Sequence, residues 1–371
     1  MHITGQSTQH FMVGLSGGVD SSVTALLLRD QGHTVSGLFM KNWVDLEGDG
    51  VCPIEDDLND AKAIADDLGI EFFTENFAPD YWDRVFAHFL AEYKAGRTPN
   101  PDILCNREIK FDCFLNRALE LGADKIATGH YAKIDEQDGL FRLVKAKDQN
   151  KDQTYFLHAL NQAQLSKSLF PLGDIEKPQV RAIADKAGFV NSGKKDSTGI
   201  CFIGEKNFNQ FLSQFLPAQP GLMQTAEGET IAEHHGLMYY TLGQRKGIGV
   251  GGRNDSNENP WFVVGKKLEE NILVIAQGHD HPLLHSKLLK AIEVNWISGH
   301  VPELPYRCKA KTRYRQPDQD CTIIGMEGNR YVVEFDQAQR AMTPGQSVVF
   351  YKDDECLGGG VIDFVKDIIY Q

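Results

Sequence analysis

Seven residues, Ser16-Gly17-Gly18-Val19-Asp20-Ser21-Ser22, directly follow the apolar run Phe11 to Leu15. The pattern reads strand, tight glycine turn, helix. A turn of this kind aims successive backbone N–H groups at one point, and the helix N-terminus behind it adds partial positive charge, which makes a preformed anion site. Gly17 and Gly18 leave the backbone open to close approach, and Ser16, Ser21 and Ser22 offer hydroxyl donors. The phosphate loop of kinases and GTPases is longer and ends in lysine; this loop has neither feature. It therefore implies a nucleotide, but not ordinary γ-phosphoryl transfer. A plain strand–helix turn with a Ser or Asp cap would need fewer of these residues.

Two further stretches carry thiols. In Gly96-Arg97-Thr98-Pro99-Asn100-Pro101-Asp102-Ile103-Leu104-Cys105-Asn106, the prolines hold the backbone extended, and a helix is expected to begin near Asp102 or Asn106. Cys105 then sits close to a helix start, where the dipole favours thiolate; a small apolar residue packing that start would look the same. In Lys194-Lys195-Asp196-Ser197-Thr198-Gly199-Ile200-Cys201-Phe202-Ile203-Gly204, Cys201 follows a glycine in a polar segment with two lysines nearby. It is either a reactive cysteine or a free structural thiol.

The elements that must position these groups alternate over the first half. Helices are expected at 21–31, 55–68, 79–95 and 107–121, the first three stopped by Gly32, Gly69 and Gly96, with strands at 34–40, 71–77 and 125–128. Alternation of this kind gives a parallel sheet covered by helices, whose ligand lies at the carboxyl ends of the strands. The Ser16 loop, Met40 and Gly129-His130 all fall at that edge. From about 149 to 204 the pattern is helical and loop-rich, and Phe208 to Leu216 reads as a short helix. After Gly221 short β runs dominate. Val263 to Gln277 reads as a hairpin across Leu268–Asn271, the polar stretch 253–259 as a mobile loop, and the chain from about Leu283 as a small β-barrel. The fold class is α/β, with an N-terminal parallel-sheet domain (8–207), a central β-rich domain (208–282) and a C-terminal β-barrel (283–371).

A length of 371 residues requires two or three domains. No apolar run approaches the roughly 18 residues of a membrane span. Met1 to His10 has neither a signal nor a transit pattern, which places the protein in the cytoplasm. The net charge of −13 argues against loose, charge-driven nucleic-acid binding, so an RNA partner needs a local basic surface. One candidate is Tyr306–Arg315: on a strand, Arg307, Lys309, Lys311, Arg313 and Arg315 would share one face. The other reading is an ordinary solvated strand face. The seven cysteines are odd in number and form no C-x-x-C pair, which disfavours both a disulfide framework and a zinc ribbon.

The Ser16 loop resembles the S-G-G-x-D-S motif of PP-loop ATP pyrophosphatases, which cleave ATP between the α- and β-phosphates. With Phe39–Trp43, Tyr93–Asp102, Ala127–Tyr131, Lys151–Gln153, Asp196–Gly204, Thr241–Gly247, Lys311–Arg315 and Thr343–Gln346, the chain resembles the tRNA-uridine 2-sulfurtransferases, or 2-thiouridylases, over nearly its whole length. The resemblance implies that Gly14, Leu15, Ser16, Gly17, Gly18, Val19, Asp20 and Ser21, with Met40 and Gly129, hold ATP, its Mg²⁺ arriving with the nucleotide. It implies that Asn100, Pro101 and Asp102 meet the target base, with Asp102 as acid/base. Cys105 is then the nucleophile and Cys201 the persulfide carrier, while His130, Lys151, Asp152, Gln153, Arg313, Tyr314 and Gln346 contact tRNA. The implied reaction is 2-thiolation of the wobble uridine, position 34, of tRNAs of Lys, Glu and Gln type. A persulfide donor protein supplies sulfur, and the reaction leaves a Cys105–Cys201 disulfide for reduction. Rival readings are an AMP-forming amide ligase, which needs an ammonia source and no paired cysteines, and a non-enzymatic RNA-binding or sulfur-carrier protein, which would show no ATP turnover.

Overall fold

The computed structural model describes residues 8–43, 53–196, 208–250 and 259–370. Five parallel strands open the fold: β1 (His10–Gly14), β2 (Thr34–Lys41), β3 (Glu71–Asn76), β4 (Lys125–Ala127) and, after the hairpin described below, β7 (Ser168–Leu169). Their order is β3-β2-β1-β4-β7. In β1 and β2 the residues 11–14 and 35–39 are buried in unbroken runs, because helices cover both faces of the sheet. The chain leaves β1 in one direction toward β2 and returns on the other side as β4. The carboxyl end of β1 is therefore a topological switch point, where the crevice for a ligand opens.

Helix α1 (Val19–Asp30) and helix α2 (Pro53–Leu68) end at glycines with left-handed backbone, Gly32 at φ +85° and Gly69 at φ +64°. A third helical run, Ala78–Tyr81 through Trp82–Phe86 to Ala87–Lys94, ends at Gly96 (φ +75°), and its middle segment widens to π geometry. The next helix starts earlier than its sequence suggests. Asn100, not Asp102 or Asn106, caps it, its side chain accepting the Asp102 N–H at 3.2 Å, and Pro101 occupies the first turn. The helix runs from Pro101–Leu104 through a π segment, Cys105–Cys113, to Phe114–Glu120.

A hairpin of β5 (Ala132–Gln137) and β6 (Leu140–Lys145) turns on Asp138 and Gly139, both at positive φ, and leaves the parallel sheet altogether. It joins the C-terminal barrel, where β6 pairs with β17 (Glu355–Val365) through Val144 and Leu143. The barrel itself closes six antiparallel strands: β12 (His285–Trp296), β15 (Arg330–Arg340), β14 (Gln319–Glu327), β13 (Tyr306–Lys311), β16 (Ser347–Lys352) and β17, which pairs back onto β12. The middle domain is a five-stranded sheet of β8 (Gly221–Thr225), β9 (Thr230–His234), β10 (Trp261–Lys267), β11 (Ile272–Gln277) and β18 (Ile369–Tyr370). β10 and β11 form the expected hairpin. β18, from the end of the chain, crosses back to pair with β10. The largest hydrophobic cluster also spans the domains: Val349, Tyr351 and Cys356 of the barrel pack with Phe111, Phe114 and Tyr155 of the first domain.

Arg307, Lys309 and Lys311 alternate outward along β13 as expected, but Arg313 and Arg315 lie beyond its end and do not continue that face. β13 stops at Lys311 because the Gln316 side chain accepts both the backbone N–H and the hydroxyl of Thr312, at 2.9 and 3.0 Å, and turns the chain. Arg307 lies on the strand and pairs with Asp336, whereas Arg313 lies in the turn and donates to the Ala341 carbonyl at 2.7 Å. The stretch 253–259 lies outside the described residues except for Asn259. No helix among the described residues is long and apolar enough to cross a membrane.

Candidate nucleotide and base site

The anion loop is built as its sequence requires, with one change of role. Gly17 takes φ +74°, and a Cβ there would lie 2.3 Å from the Asp57 carbonyl oxygen of α2. Gly129, just beyond β4, lies so close that a Cβ would sit 2.9 Å from the Ser21 nitrogen. Gly14 likewise packs under the Met40 methyl, which a Cβ would approach to 3.3 Å. Gly18 begins α1 without any side-chain cap, so the first-turn N–H groups of a twelve-residue helix have no side-chain acceptor. Ser21 and Ser22 are buried, and both hydroxyls donate to the Gly18 carbonyl, at 2.9 and 3.0 Å. They fix the loop rather than face a ligand, since a buried hydroxyl needs its own partner. Ser16 alone of the three is exposed.

Around this loop lies a network that the motif does not announce. Asp20 accepts hydrogen bonds from Tyr131 at 2.9 Å and, on both oxygens, from Lys177 at 2.8 Å. Lys177 also meets Asp196 at 2.7 Å, where Lys151 (2.5 Å) and Arg181 (2.8 Å) converge. Burial alone would raise the Asp196 carboxyl; the hydrogen bonds from Lys151 and Lys177 outweigh it and hold the group at about 2. Lys151, Lys177 and Arg181 thus gather on Asp20 and Asp196 beside the anion loop, paired cations that a phosphate could draw away from their carboxylates. Lys177 opens helix Lys177–Ala187, where the helix dipole opposes a cation, so its place depends on the anions it meets. Asn191 and Lys194 reach the Gly17 carbonyl at 3.0 and 3.3 Å, and Lys194 also pairs with Asp57 and Asp60 of α2. Lys177, Arg181 and Asn191 were not among the sequence candidates. The available signal was Lys177 and Arg181 one helical turn apart, at the start of a helix.

The second group follows the strap Gly96–Pro99. Asn100 and Pro101 start the helix and Asp102 lies in its first turn; burial raises the Asp102 carboxyl, with Lys110 opposing. Cys105 is 2% exposed and packs in the hydrophobic core. It stands one full turn inside the helix, beyond the reach expected of the helix-end dipole, because the helix starts at Pro101. From the barrel, the Gln346 amide donates to the Thr98 carbonyl at 2.7 Å, and the Pro344 carbonyl accepts from the Thr98 N–H at 3.1 Å.

The remaining sequence candidates join the two groups. His130 is buried against Phe111 of the Cys105 helix and bonds to Thr128 at 2.8 Å; burial holds its imidazole well below the ordinary range, so it is neutral. Asp152 is 4% exposed, accepting from Ala146 and Thr154, and Gln153 accepts from the Tyr131 N–H at 2.8 Å. Tyr314 packs at a tilt against the Phe156 ring and its hydroxyl donates to the Lys151 carbonyl at 3.4 Å. Cys201 lies outside the described residues. Among the described residues, no group of three His, Cys, Asp or Glu side chains is placed to hold a metal.

A parallel sheet with an uncapped anion loop at its switch point, followed by two β domains, is the architecture of a PP-loop enzyme of the ATP-binding class. Family models match in the same order: a tRNA methyl transferase HUP domain over 9–205, a tRNA methyl transferase PRC-barrel domain over 209–277 and an aminomethyltransferase beta-barrel domain over 286–362. The tRNA-specific 2-thiouridylase MnmA of Nitrosococcus oceani is 60% identical over 351 residues, covering 95% of this chain and 96% of that protein. The proteins of the same name from Halalkalibacterium halodurans and Streptococcus sanguinis are 58% and 59% identical, each over 95% of this chain and 94% of theirs. The chain belongs to the tRNA-specific 2-thiouridylase family, which are tRNA sulfurtransferases.

Proposed function

We propose that this chain converts the wobble uridine of tRNAs of Lys, Glu and Gln type to 2-thiouridine, with release of AMP and pyrophosphate. The observation that carries this reading is the anion loop with its uncapped helix, bordered by the cations Lys151, Lys177 and Arg181. That arrangement binds polyphosphate without supplying the lysine or the longer loop of a γ-phosphoryl transferase. The α-phosphate takes the first-turn N–H groups of α1, and Lys177 leaves Asp20 to meet the departing pyrophosphate. Asp20, in the first turn of α1, would hold Mg²⁺ brought in on the triphosphate, and the ion would supply charge neutralisation there.

A uridine C2 carbonyl is a poor electrophile, and its oxygen is a poor leaving group. In-line attack of that oxygen on the α-phosphorus breaks the bond to pyrophosphate and converts the oxygen into part of AMP. Asp102, its carboxyl raised by burial, exchanges the proton on the base. The terminal sulfur of a Cys201 persulfide then adds at C2, and AMP leaves. The Cys105 thiol gives up its proton, which returns to the base, and its sulfur attacks the inner sulfur, releasing 2-thiouridine and forming a Cys105–Cys201 disulfide. External thiol returns it to the dithiol with two electrons. In the other order, Cys105 first releases hydrosulfide, which adds at C2; both orders end at the same disulfide. A persulfide-bearing donor protein in the cytoplasm reloads Cys201.

The test is nucleoside mass analysis after incubation with ATP, Mg²⁺, unmodified tRNA and a persulfide donor. Cys201→Ser should abolish bound sulfane sulfur and 2-thiouridine together. Cys105→Ser should keep the bound sulfur and lose the product. Normal 2-thiouridine from either variant sinks the paired-thiol mechanism.

A further inference from the structure

The strap Gly96–Pro99 carries no secondary structure, yet it must present Asn100–Asp102 at a fixed angle. Its own domain supplies part of the hold: the Gly96 and Arg97 N–H groups close the preceding helix on Tyr93 and Glu92, and the Arg97 guanidinium pairs with Glu92. The other restraints come from elsewhere in the chain. Lys266 of β10 donates to the Gly96 carbonyl at 2.8 Å, and the Tyr370 hydroxyl of β18 donates to the same oxygen. A Cβ on Gly96 would lie 2.4 Å from Leu268, at the turn of the β10–β11 hairpin, so the middle domain rests directly on the strap.

Lys266 is an expensive residue for this place. It is 1% exposed and, among the described residues, has no carboxylate partner. Burial pulls its ammonium down to about 7. A methionine of similar length would fill the space without burying a charge-bearing group. What lysine adds is a donor aimed at one carbonyl, at the negative end of the helix that leads into the strap. Tyr370 repeats that choice from a different segment: its ring lies beside the Lys266 ammonium, with the ring centre 6.0 Å away, and its hydroxyl reaches the same oxygen.

We propose that Lys266 and Tyr370 are positioning residues for thiolation: together they fix the Gly96 carbonyl and so set the angle at which Asn100–Asp102 meet the target base. The inference rests on the reading of Asn100–Asp102 as the base-contacting segment. Through it, the middle domain and the end of the chain act on the chemical step without touching the reacting atoms. Misplacement of a reacting group by about 1 Å costs up to a hundredfold in rate.

The experiment uses the full chain as Lys266→Met, Tyr370→Phe and the double variant, with a tRNA transcript, ATP, Mg²⁺ and a persulfide donor as sulfur source. Single-turnover formation of 2-thiouridine should fall about tenfold or more for Lys266→Met and about threefold for Tyr370→Phe. The tRNA dissociation constant should stay within about twofold of wild type. The double variant should fall little further than Lys266→Met, because both donors serve one oxygen. Single-variant rates within twofold of wild type overturn the proposal, as does a loss of rate matched by an equal loss of tRNA affinity. If Lys266→Met does not fold, Tyr370→Phe, which removes one hydroxyl, decides alone. A wild-type chain that forms neither AMP nor 2-thiouridine overturns the underlying reading of the activity instead.

Discussion

The anion loop at Ser16 and the strap Gly96–Pro99 are organised in opposite ways. The loop is written in one continuous strand–turn–helix, and its shape follows from contacts within the first domain: Gly17 against α2, Gly129 against Asp20 and Ser21, and two serines on the Gly18 carbonyl. The strap has little internal structure and is held by residues up to 274 positions away, from the barrel and from the end of the chain. The difference separates two tasks. Binding a polyphosphate needs only a rigid local cradle, the same for every turnover. Holding the Asn100–Asp102 segment at one angle needs restraints from the domains packed around it.

Asp20→Ala gives the largest expected effect. Without Asp20, Lys177 is left on Asp196 alone, and pyrophosphate release with tRNA should fall by about a hundredfold or more, the scale of losing a preorganised electrostatic contact. The strap should remain intact, so tRNA affinity should hold. Two glycine substitutions then break one region each. Gly129→Ala drives a methyl into the loop backbone and should weaken ATP binding by about tenfold, read by equilibrium dialysis. Gly345→Ala puts a Cβ 2.8 Å from the Thr98 nitrogen at φ +91°. It should spare ATP affinity, slow 2-thiouridine formation, and cost about 1–3 kcal/mol of stability by chemical denaturation. If both glycine variants lose ATP affinity equally, the two regions are not independent.

The cation cluster makes a pH prediction of intermediate size. The Asp196 carboxyl is depressed to about 2, below its ordinary value near 4. Its contribution to stability is therefore fully present above about pH 4 and is lost as pH falls from there through 2. Asp196→Asn should narrow the gap to wild type over that window in acid denaturation, and a gap unchanged between pH 5 and 2 would contradict the pairing. The smallest effect is expected at Arg307. Its guanidinium is already paired with Asp336 on an exposed strand. Arg307→Glu should change tRNA affinity by less than about twofold, measured by filter binding with its salt dependence. Lys311 is the poorer probe, since it sits against Asp318 and the Tyr351 ring, and charge reversal there would disturb the barrel.

The same contrast governs what could be read from sequence. The glycine stops at Gly32, Gly69 and Gly96, the β10–β11 hairpin, and the convergence of the Ser16 loop with Gly129 at the switch point all follow from local turn chemistry and from alternation. Other features depend on partners distant in sequence. The β5–β6 hairpin carried a local signal in Asp138-Gly139, but that signal gives no hint that the hairpin leaves its own sheet for the barrel. The end of β13 at Lys311 is set by Gln316, a residue whose type does not announce a turn. Lys177 becomes meaningful only when its helix is brought to Asp20. Cys105, expected near a helix start, is displaced inward by the cap at Asn100, one residue before a proline well suited to begin a helix.

In the proposed reaction ATP is spent to turn the uridine C2 oxygen into a leaving group. The direct measurement is single-turnover thiolation of a tRNA carrying ¹⁸O at C2 of the wobble uridine, with mass analysis of the nucleotide product. One AMP per 2-thiouridine is expected, with the ¹⁸O in the AMP phosphate. Recovery of the label in water or pyrophosphate, or 2-thiouridine formed without AMP, would contradict it.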